Sequence, residues 1–72
     1  MSFLNANLTS AVCLVERAAI ELSEAASRLA TTGQAAESNL AADLANTLHL
    51  AARETRELRQ QLFPPLDPQP AA

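Results

Sequence analysis

What most constrains this chain is where it lacks helix breakers. No proline occurs before Pro64, and Gly33 is the one glycine. On either side of that glycine the apolar residues step by three and four, the spacing that gathers side chains on one face of an α-helix. The first stripe runs Leu8, Val12, Val15, Ala19, Leu22, Ala26, Leu29. Written as heptads, Val12, Ala19 and Ala26 take position a and the others take d, the pattern of helices that pack along a seam. A second stripe follows Gly33: Ala41, Leu44, Leu48, Ala51, Thr55, Leu58, Leu62. The reading is an all-α chain, an antiparallel two-helix hairpin.

Stop and start signals bound the two helices. Leu4 extends the first stripe backwards, so the first helix is expected over about residues 3–31, with Ser2 as N-cap or Thr9 or Ser10 in its place. Gly33 suits the left-handed residue that closes a helix, and Arg28 favours the negative end of the helix dipole. The second helix is expected over about 35–62, after a loop at about 32–35, beginning near Gln34 or capped by Ser38. Pro64-Pro65 ends it, because proline clashes with the preceding turn and restricts the residue before it. Residues 1–63 form the hairpin on this reading, and 64–72 a Pro-rich mobile tail.

Composition explains why one seam is not enough. The 72 residues include sixteen alanines and twelve leucines but only two aromatics, Phe3 and Phe63. Alanine is the best helix former, yet it buries little area, so a chain of this size is poorly supplied with hydrophobic stabilisation. A loop centred near residue 35 would pair Leu8 with Leu62, Val12 with Leu58, Ala19 with Ala51 and Leu22 with Leu48. Beside that seam lie Ala11, Leu14, Ala18 and Ala25 of the first helix, with Leu40, Thr47 and Leu50 of the second. Small residues repeated every seven positions let another helix approach closely. These residues are therefore expected to form a self-association face that dimerises the hairpin into a four-helix bundle.

Charge and redox chemistry narrow the function classes. A net charge of −3 argues against general binding to a phosphate backbone, which needs a positive surface. All five basic residues are Arg, a usage associated with GC-rich bacterial or phage genomes. The opening Met-Ser-Phe-Leu-Asn has neither the charged nor the apolar part of a signal peptide, and no uncharged apolar run approaches membrane-spanning length. One cysteine cannot form an internal disulfide. The expectation is a cytoplasmic chain with no membrane partner.

Candidate chemistry is sparse. A nucleophilic Cys13 would need a base and an orienting group, and His49 is not placed to serve it. One histidine does not make a zinc site, and no metal-ligand spacing appears. No catalytic residue and no cofactor are expected. The other flank, with Cys13, Ile20 and His49, is a possible partner face. Arg53, Arg56 and Arg59 extend it as the one basic concentration, interleaved with Glu54 and Glu57. They read as an ion-paired helix end or, alternatively, as a contact for structured RNA. Pro65-Leu-Asp-Pro68 is formally a PxxP segment without the basic flank such ligands use. The function expected is a small non-enzymatic protein-interaction module of the adaptor, inhibitor or co-chaperone type. Its partners would be a second copy of the chain or a larger protein.

Overall fold

A computed structural model of the chain describes residues 3–64. Helix α1 spans Phe3–Thr31 and helix α2 spans Ala35–Leu62. The two pack against each other, and no strand occurs among the described residues. The expected cap at Ser2, the tail beyond Pro64 and its PxxP segment lie outside the described residues.

The turn between the helices follows from Gly33. Its φ of 81° is the left-handed conformation that costs a residue without a Cβ little. The Gln34 amide donates to the Leu29 carbonyl at 2.9 Å and the Gly33 amide to the Ala30 carbonyl at 3.2 Å. These are the two bonds of a Schellman closure, and they satisfy carbonyls that the end of α1 would leave open. The chain passes directly into α2, which starts after Gln34 without a side-chain cap. Ser38 is therefore inside the first turn and not at its edge. Glu37 in that turn has the favourable sign for the helix dipole. At the far end the Phe63 amide still bonds the Arg59 carbonyl at 2.7 Å before Pro64 interrupts the ladder.

The core is built from small side chains. Val12, Ala19 and Ala26 are buried on α1; Ala41, Ala45 and Ala52 are buried on α2. Leu8, Val15, Leu22 and Leu29 flank the first set half-buried, so the seam of α1 is the one its spacing implies. The seam of α2 differs. Its inward row is Ser38, Ala41, Ala45, Leu48, Ala52, Thr55 and Arg59, whereas Leu44, Leu58 and Leu62 are exposed. The helix is rolled so that alanines, not leucines, meet α1.

Two physical features accompany this roll. Alanine rows let the two backbones approach closely along their length. Three polar contacts also tie one edge of the hairpin: Arg56 pairs with Glu16, Arg59 donates to Thr9, and Ser38 donates to the Ala26 carbonyl. Each draws that edge of α2 toward α1.

The register changes with the turn. The connection is residues 32–34, centred on Gly33 instead of residue 35. Counted outward from it, Leu29, Ala26, Leu22, Ala19, Val15, Val12 and Leu8 stand against Ser38, Ala41, Ala45, Leu48, Ala52, Thr55 and Arg59. Large therefore meets small at mid-hairpin, Leu22 with Ala45 and Leu48 with Ala19. The pairings of Leu22 with Leu48 and Ala19 with Ala51 expected from the sequence give way to this order.

Candidate functional site: the exposed leucine face

The hairpin has two unlike faces. Polar contacts define the first. Arg56 forms an ion pair with Glu16, both partly exposed, and Arg59 Nη1 donates to Thr9 Oγ1 at 2.7 Å. Cys13, Ile20, His49 and Arg53 are exposed, and helical spacing puts them around this edge. The three arginines of the sequence pattern thus differ in state. Arg56 and Arg59 are held against α1, and Arg53 extends into solvent.

The second face is apolar. On α1 it carries Leu4, Ala11, Leu14, Ala18 and Ala25. Ala11 and Ala25 are half-buried beside the seam; Ala18 and Leu14 are exposed, Leu14 to 68%. On α2 it carries Leu40, Leu44, Ala51, Leu58 and Leu62. Rolling α2 inward on its alanines turns these leucines outward, so Leu44, Leu58 and Leu62 join the face instead of filling the seam. Leu50, expected here from the sequence, projects instead from the back of α2, away from α1. The leucines of the face are each 45–68% exposed, together about the surface of three complete side chains. Charged residues border both rows: Glu21 and Arg28 stand beside Ala25 on α1, and Glu54 lies one turn from both Ala51 and Leu58 on α2.

A leucine costs free energy in water, and soluble chains seldom leave a continuous apolar strip uncovered. Covering about three leucine side chains would release on the order of 5–9 kcal/mol before the entropic costs of association. That is comparable with the whole stability of a domain this size, on the order of 4–10 kcal/mol. The exposed leucines, more than the alanine rows that suggested a face, make up the uncovered apolar surface. The sequence signal was available: leucines at 40, 44, 58 and 62 exceed what one seam can bury. Only the roll of α2 shows which of them remain outside.

Other chemistry is not assembled. Among the described residues no group of three or more His, Cys, Asp and Glu side chains could hold a metal ion. A shallow open depression lined by Glu21, Glu24, Ala25 and Arg28 lies on one helix only. No helix among the described residues is long and apolar enough to cross a membrane. Compared with models of protein families, with curated proteins and with solved structures, the chain matches none.

Proposed function

We propose that this chain is a small non-enzymatic protein-interaction module, acting by burying an apolar helix face against another polypeptide. The exposure of Leu44, Leu58 and Leu62 beside Leu4 and Leu14 carries the reading. Such a face binds by excluding water, so the module needs no cofactor and makes or breaks no bond. An adaptor, inhibitor or co-chaperone works this way. A reducing cytoplasm suits it, since the exposed Cys13 stays a thiol there. The arginine end has less to support it as an RNA contact, because Arg56 and Arg59 are already engaged within the hairpin.

The test is a photo-crosslinking residue placed at Leu44 or, for comparison, at Asn46 on the polar side, in cells that make the chain naturally. Protein adducts are expected from position 44 and only background from 46. Equal labelling from the two positions, or adducts dominated by RNA, would overturn the proposal.

A further inference from the structure

We infer that a second copy of this chain covers the leucine face, and that the two-fold axis runs along the length of the hairpin. Helix α1 of each copy then lies against α2 of the other, with both Gly33 turns at the same end. This rests on the helix-face reading and names its partner. The first reason is relief. The α1 side of the face is low at Ala11, Ala18 and Ala25, which repeat every seven residues, and rises at Leu14; the α2 side is high at Leu40, Leu44, Leu58 and Leu62 and dips at Ala51. One surface thus carries both the ridges and the hollows that receive them, as the shared patch of a two-fold dimer requires.

The orientation of the axis follows from the same relief. An axis perpendicular to the helices would set α1 on α1 and α2 on α2, so the alanine-rich sides would meet and the four leucines of each α2 would crowd one another. An axis along the helices sets high on low twice. It also keeps every residue at its own level, and the seam fixes those levels: Val15 stands with Ala52, Ala19 with Leu48, Leu22 with Ala45. Leu44 of one copy consequently arrives between Ala18 and Ala25 of the other, Leu58 arrives beside Ala11, and Leu14 beside Ala51. Large residues enter small gaps in all three places.

Area and charge agree. A face two helices wide and nearly as long as α1 measures about 20 by 40 Å, or about 800 Å², the footprint of a standard specific interface. Among the described residues of a single copy, no large side chain is fully buried. Two helices form one layer, and stable domains need two. Each chain has a net charge of −3, but the charges beside the apposed rows, Glu21, Arg28 and Glu54, stand on their outer border, and the Glu16–Arg56 pair lies on the opposite edge of the hairpin.

The experiment uses the full chain with Cys13→Ser and Ala36→Cys, spin-labelled at the exposed first turn of α2. Light scattering from about 1 to 200 μM is expected to show twice the chain mass of 7.6 kDa. Pulsed electron resonance is expected to show label separations of about 20–30 Å, since both turns lie at one end of a bundle with helices about 10 Å apart. Separations beyond about 40 Å, roughly one helix length, would overturn the axis. Leu44→Ser should weaken the dimer at least a hundredfold, and Leu50→Ser on the back of α2 should change it less than threefold. A mass of one chain at every concentration would overturn the second copy as occupant. Adducts from position 44 to a different protein would then leave the helix-face reading standing.

Discussion

Ser38 Oγ donates a 2.7 Å hydrogen bond to the carbonyl oxygen of Ala26, joining the first turn of α2 to the body of α1. A serine at the start of a helix ordinarily caps its own backbone; here the hydroxyl reaches across the hairpin. The bond links a residue five positions after Gly33 to one seven positions before it. Ser38→Ala is expected to destabilise the hairpin by about 0.5–1.5 kcal/mol, the net worth of such a bond. Urea unfolding followed by circular dichroism measures it. A variant as stable as the parent would assign the closure to the backbone turn alone.

Ala52 is 1% exposed, whereas Ala51 next to it is half-buried beside the leucine face. Ala52→Glu forces a carboxylate into the closed space between the helices, a cost on the order of 3–5 kcal/mol. Cooperative thermal unfolding should be lost. Ala51→Glu should keep helical circular dichroism while weakening self-association. The opposite outcome would put the leucine row back in the seam.

The Glu16–Arg56 ion pair is partly exposed on both sides. Water and salt screen such pairs, so a double-mutant cycle with Glu16→Gln and Arg56→Gln should give a coupling of about 0.2–1 kcal/mol. The coupling should shrink in 0.5 M salt. Its value lies in aligning one edge of the hairpin. Coupling well above this range would indicate a pair shielded from solvent, against the exposure observed.

Gly33 has open space where a Cβ would be, so Gly33→Ala meets no steric clash. The remaining cost is the left-handed φ, about 1–2 kcal/mol for a residue with a side chain. Gly33→Asn should cost less, because asparagine tolerates that conformation better. Melting points in the order Gly, Asn, Ala would support this account of the turn; equal values would remove it.

Local chemistry in the sequence carried the all-helical class and the packing of two helices on each other. The seam of α1 was equally legible, because its one apolar stripe, Leu8 to Leu29, leaves a single orientation that buries it. Which residues stay outside was legible only in part. Ala11 and Ala25 are half-buried beside the seam, and Ala18, Leu14, Leu40 and Leu50 are exposed. The leucines at 44, 58 and 62 were assigned to the interior and are instead exposed beside Leu40.

That division has a physical basis. Helix formation in this chain depends on residues close in sequence: alanine propensity, the left-handed Gly33, and Pro64 where the amide ladder stops. The sequence by itself determined those. The roll of α2 depends on residues far apart, where two apolar rows about one position apart, Ala41–Leu44–Leu48 and Ala41–Ala45–Leu48, compete for the same seam. Periodicity ranks leucine above alanine because it counts burial alone. Tertiary structure decided for the alanines, through close approach of the helices and the bonds of Glu16, Thr9 and Ala26 to α2. The same choice left the leucines facing outward.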